Sequence, residues 1–141
     1  MFEAMSAPAS FINLDLELES SEELVALEEE LRSGAYVLYS GPVPGGYRLA
    51  LEPLIVGTLN GDPTSCTEHF LSKLEALSGT AHAKFLKCHS RIFDYGFDGG
   101  LEANPIQTDL CSRTLARMVA LGIDLRITTY PYRAAEPEET E

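Results

Sequence analysis

Between Phe11 and Glu19 the chain alternates without a break, with Ile12, Leu14, Leu16 and Leu18 separated by Asn13, Asp15, Glu17 and Glu19. A period of two sustained over eight residues is the repeat of an extended strand, whose side chains point to opposite faces in turn. One face of this strand is aliphatic and the other is polar and mostly acidic. The aliphatic side must be buried while the acidic side meets water. That requirement predicts an antiparallel or mixed sheet covered on one side only.

The segments that follow supply the cover and the remaining strands. Ser20 and Glu23 have capping-box spacing, Leu24, Leu27 and Leu31 recur at helical intervals, and Gly34 is a natural stop. Glu28 and Arg32 are placed to pair across one turn. Ala35–Tyr39 and Tyr47–Glu52 read as a hairpin around the turn-rich stretch from Gly41 to Gly46. That stretch lacks the strand-loop-helix setting and the Lys-Ser/Thr ending of a phosphate loop. Asn60-Gly61-Asp62-Pro63 marks a turn into a helix capped by Asp62, with Phe70, Leu71, Leu74 and Leu77 on its apolar side and Gly79 at its end. A second helical stretch from Ala81 to His89 follows a Thr80 cap, and Lys84, Lys87 and Arg91 make it the one local basic patch. Phe93, Tyr95 and Phe97 alternate with Asp94, Gly96 and Asp98 in another strand, ended by Gly99-Gly100. A last helix from the cap Ser112 to Leu121 stops at Gly122, and a final strand from Leu125 to Tyr130 is closed by Pro131.

The order β-α-β-β-α-(α)-β-α-β predicts an α+β fold. Its economical form is a two-layer ferredoxin-like β-α-β-β-α-β core with an extra C-terminal helix and strand. With 141 residues the chain fits one domain, expected at 11–132 between a flexible start at 1–10 and a disordered acidic tail at 133–141.

The net charge of −12 is unevenly placed. Residues 1–34 hold nine acids against Arg32 alone, residues 136–141 hold four acids and no base, and the stretch between has nine of each. Nucleic acid is a poor partner for such a surface, because phosphate binding needs clustered Lys and Arg. A basic protein partner is its electrostatic complement, although solubility explains the same charge. No stretch reaches the roughly 18 apolar residues of a membrane span. The first ten residues lack the charge and apolar run of a secretory signal. Cys66, Cys88 and Cys111 form neither a disulfide framework nor a C-x-x-C pair, so the expected setting is the reducing cytoplasm.

The segment from Leu110 to Pro131 combines a helix ending Ala120-Leu121-Gly122 with an alternating strand ending Tyr130-Pro131. It resembles a group of uncharacterised bacterial proteins, the domain-of-unknown-function family 4279, whose members similarly open with a strand and a short acidic-capped helix, as Phe11 to Leu31 does here. The family's opening usually carries a glycine at the strand end, which this chain lacks. The resemblance implies a fold type and carries no catalytic residue over. Some small bacterial proteins of this kind look like immunity or antitoxin components.

Three sets of side chains are candidates for chemistry. His82, Cys88 and His89 are the closest cluster of metal-ligand types. His82 and His89 could share a helix face, but Cys88 lies about 100° away from it, and the set is short of a four-ligand site. Asp94 and Asp98 could meet the acids of the first strand on an open sheet face, where paired carboxylates do acid/base work only if burial separates their pKa values. Alternation with core residues predicts exposure for them instead. Cys88 and His89 are sequence neighbours and do not face each other as a nucleophile and base must. No catalytic residue, metal or cofactor is therefore assigned. The expected function is a non-enzymatic module that binds a basic protein partner through Asp15, Glu17, Glu19, Glu22, Glu23 and Glu29. Alternatives are a homo-oligomeric structural protein pairing through an edge strand, and a small hydrolase or metal-dependent enzyme.

Overall fold

The structure is a computed structural model that describes residues 7–55 and 62–132. Residues 1–6 and the acidic tail 133–141 lie outside the described residues, as do Asn60 and Gly61 of the expected turn. Ala7 is buried, and its carbonyl accepts from the amides of Leu101 and Glu102.

The elements follow the expected order. They are β1 (Ser10–Ser20), α1 (Val25–Leu31) with a 3-10 turn (Arg32–Gly34), β2 (Ala35–Val43), β3 (Gly46–Pro53), α2 (Pro63–Glu75), α3 (Gly79–Leu86), β4 (Ser90–Asp98), α4 (Ser112–Ala120) and β5 (Asp124–Tyr130). The five strands form one mixed sheet in the order β2-β3-β1-β4-β5. β1 lies at its centre, antiparallel to both β3 and β4; β2 pairs antiparallel with β3, and β5 pairs parallel with β4. The class is α+β.

The alternation of β1 sets the layers. Leu14, Leu16 and Leu18 are fully buried, with Leu16 opposite both Leu51 of β3 and Phe93 of β4. Burial of these three leucines contributes about 5–9 kcal/mol of gross apolar transfer. Above them α2 lays Phe70, Leu71 and Leu74 into the sheet, and the Phe70 ring stacks on Phe93 at 5.8 Å. Two buried polar groups in this layer satisfy each other, Thr67 Oγ1 and Tyr95 Oη at 2.6 Å. Among the described residues no helix is long and apolar enough to cross a membrane.

Several local expectations are revised. Ser20 does not cap α1: it is the last residue of β1, and its Oγ accepts from the Glu22 amide two residues on, while α1 starts only at Val25. Gly34 ends a 3-10 turn without a positive φ. It is small because Lys73 and His69 occupy the space a Cβ would need, and its carbonyl bonds His69 Nε2 at 2.6 Å. The hairpin turn shrinks to Pro44-Gly45, because β2 runs on through Gly41, Pro42 and Val43 as an edge strand that tolerates proline. Gly79 opens α3 instead of closing α2. The Asp62 cap is as expected, its carboxylate accepting from the Ser65 amide at 2.7 Å.

Candidate functional site

The face of the sheet away from the helices carries polar residues of β1, β3, β4 and β5 beside two tyrosines of β2, and Asp15 lies at its centre. On β1 the residues facing this way are Asn13, Asp15, Glu17 and Glu19, the period-two partners of the buried leucines. Register brings the neighbours in. Asp15 is directly opposite Asp94 of β4, and one step beyond the Leu16–Leu51 pair puts it beside Glu52 of β3. Asp94 in turn pairs with Arg126 of β5. Tyr36 of β2 lies opposite Glu52, and Tyr39 opposite Ala50, so two exposed tyrosines flank the carboxylates on the same face.

The hydrogen bonds show how this much negative charge is held together. The Asn13 amide donates to Glu52 Oε2 at 2.6 Å and to Asp15 Oδ1 at 3.3 Å. Thr128 Oγ1 donates to Asp94 Oδ1 at 2.7 Å. Arg126 Nη1 lies 2.9 Å from Glu17 Oε1 and 3.6 Å from Asp94 Oδ2. Arg48 spans Glu17 and Glu19 at 3.6 and 3.5 Å. Both guanidiniums are thus committed to Glu17, Glu19 and Asp94, while Asp15 and Glu52 share only a neutral amide. Burial and then the charges of Glu52, Glu17 and Asp94 push the Asp15 carboxyl up to about 7, with Arg48 opposing them.

The acids expected to form the binding surface fall into two groups. Asp15, Glu17 and Glu19 share the open face described above. Glu22 and Glu23 are elsewhere, at the edge of α3, where Lys84 Nζ approaches them at 3.1 and 3.4 Å and Lys87 reaches Glu22 at 3.5 Å. These lysines hold the Glu22 carboxyl below its ordinary value. Glu29 is exposed on α1. The basic patch seen in the sequence is therefore the counter-charge to the acidic segment before α1. Its third member, Arg91, lies over the Phe85 ring and donates to the carbonyls of Phe85 and Leu86, and to that of Gly122 at 3.3 Å. It caps the C-terminal ends of two helices at once.

The other candidates separate. His82 and His89 are exposed, Cys88 is buried, and His89 stands 3.8 Å from Glu19. Among the described residues no group of three or more His, Cys, Asp or Glu side chains is arranged to hold a metal ion. Asp98 is not with Asp94 in the cluster: it closes the end of β4 by accepting from the Gly100 amide at 2.8 Å. Burial raises the thiols of Cys66 and Cys88 to about 11, away from nucleophilic use at neutral pH.

Glu52, Arg48, Arg126 and Thr128 were not singled out from the sequence. A signal was there, because Arg48 and Glu52 alternate with Leu49 and Leu51, as Arg126 and Thr128 do with Leu125 and Ile127. Only the strand order turns those alternations into one cluster. On the opposite side of β4 and β5 an apolar cavity of about 250 Å3 is lined by Tyr95, Phe97, Leu110, Leu115, Leu125 and Ile127. No family model matches the chain, and neither does any curated protein or solved structure.

Proposed function

We propose that the protein is a non-enzymatic binding module that holds a basic protein partner, in the manner of an immunity protein, on the open face of its sheet around Asp15. The carrying observation is that Asp15 and Glu52 lie side by side with Asp94 across the strand, while both nearby guanidiniums are engaged by other carboxylates. A Lys or Arg side chain laid there supplies the missing positive charge. The exposed ring of Tyr36 beside Glu52 offers the same cation an aromatic contact. The acids before α1 contribute less, since Lys84 and Lys87 already neutralise them. The run β4-β1-β3-β2 supports a ferredoxin-like core, to which α4 and β5 are appended.

Calorimetric titration with an arginine-rich peptide at neutral pH tests the reading. Binding should weaken as salt rises and should release protons, because a cation beside Asp15 favours its ionised form. Asp15→Asn with Glu52→Gln should weaken binding at least tenfold. Affinity that ignores both substitutions would remove the proposed surface. A second reading, acid/base catalysis by Asp15, is favoured by a carboxyl that titrates near neutrality. A hydrolytic activity abolished by Asp15→Asn would decide for it.

A further inference from the structure

We propose that β5 is a self-association edge, at which two copies pair antiparallel about a two-fold axis through Ile127 to form one continuous ten-stranded sheet. This edge borders the Asp15 cluster through Arg126 and Thr128, but the proposal does not depend on how that cluster is read.

The two edges of the sheet are built differently. β2 has a bulge between Val37 and Tyr39 and carries Pro42, two devices that blunt an edge against further pairing. β5 is a regular seven-residue strand without proline, lysine or bulge, and its register with β4 is unbroken from Asp124 to Tyr130. Its outward backbone groups can be identified. The Tyr130 carbonyl accepts from the Gly99 amide at 2.8 Å, so Tyr130 faces β4. By alternation Asp124, Arg126 and Thr128 face β4 as well, and Leu125, Ile127 and Thr129 present their N–H and C=O groups outward.

Those three residues select one register. With Ile127 on the axis, Ile127 pairs with its copy and Leu125 with Thr129 of the other chain, so every outward group of β5 is hydrogen-bonded. Shifting the axis to Arg126 loses one pair and sets two guanidiniums against each other, whereas the Ile127 register places Arg126 opposite Thr128. The side chains agree with the backbone. Leu125 and Ile127 point to the helix side, yet they are 45% and 62% exposed, and on the neighbouring α4 Val119 is 76% exposed. Apolar residues left this exposed at a strand edge, and on the helix that leads into it, are what a second copy of the same edge would bury. Because the axis is perpendicular to the sheet, both Asp15 clusters would lie on the same side of the dimer.

Sedimentation velocity of the full chain across micromolar to millimolar concentration, with amide hydrogen exchange at both ends of the range, tests the assignment. The expected result is a monomer–dimer equilibrium in which protection of the Leu125, Ile127 and Thr129 amides grows with concentration. Thr129→Pro, which removes one outward donor, and Ile127→Lys, which puts a charge on the axis, should each weaken dimerisation at least tenfold. The Pro variant serves if the Lys variant fails to fold. A strict monomer throughout overturns the proposal. So does a dimer indifferent to both substitutions, or protection at β5 that does not vary with concentration, which would mean that this chain covers its own edge.

Discussion

Asp15 is the residue whose environment departs furthest from what its type prefers. A carboxylate on a sheet face ordinarily stays ionised, but here burial removes water and three other carboxylates oppose ionisation. Glu52 is the nearest of them in effect, and the two are linked through the Asn13 amide. Neutralising Glu52 should therefore lower the Asp15 titration. Carbon-detected NMR of the Asp15 carboxyl should give a midpoint near 7 in the native protein and a clearly lower one in Glu52→Gln. An ordinary midpoint in both would show the carboxyl to be well hydrated. Of this site the sequence disclosed Asp15 and its polar face. It did not disclose burial, because period two assigns a side chain to a face and says nothing about how neighbouring strands crowd that face.

The elements show where local signals are sufficient. The Asp62-Pro63 start of α2 and the Gly122 stop of α4 rest on contacts within a few residues, and both are as read from the chain. Signals that compete with longer-range pairing fared worse. Ser20 and Glu23 have capping spacing, but β1 keeps its pairing with β3 as far as Ser20 and draws that residue into the sheet. Gly41 and Pro42 look like a turn, yet β3 offers Arg48 and Tyr47 as partners and extends β2 through them. Gly122 deserves a test because it joins two demands. Its φ of +66 is unfavourable for any residue with a Cβ, and a Cβ would stand 2.7 Å from the Arg91 guanidinium that caps both α3 and α4. Gly122→Ala should cost about 1–2 kcal/mol from backbone strain alone. Urea unfolding at neutral pH measures it, and Arg91→Ala in the same background should be less than additive.

Over the whole molecule the acidic segment and the neutral body are two halves of one arrangement. Arg48 and Arg126 reach acids of β1, and Lys84 and Lys87 reach the acids before α1. The pH dependence of stability should therefore have two limbs. Lysine partners lower the Glu22 carboxyl, hydroxyl donors lower Glu28 and Glu30, and Arg117 lowers Glu75, each from an ordinary value of 4.5. A lowered native pKa contributes stability that is present above the ordinary value and is lost as pH falls through the native one. Asp15 has the opposite sign. Its native pKa is raised from 3.8 to about 7, so the unfolded chain ionises first and stability declines as pH climbs between those values. Thermal stability should peak at about pH 5, between the two limbs. Asp15→Asn retains the acceptor used by Asn13 but cannot ionise, and it should abolish only the upper limb. At mildly alkaline pH that variant should gain about 1 kcal/mol after allowance for residual solvent screening, or about 4 °C in Tm. Melting curves of both proteins from acid to alkaline pH supply the comparison. Parallel profiles above the peak would mean that Asp15 ionises without cost, and the open face would then lack the excess negative field on which recognition of a basic partner depends.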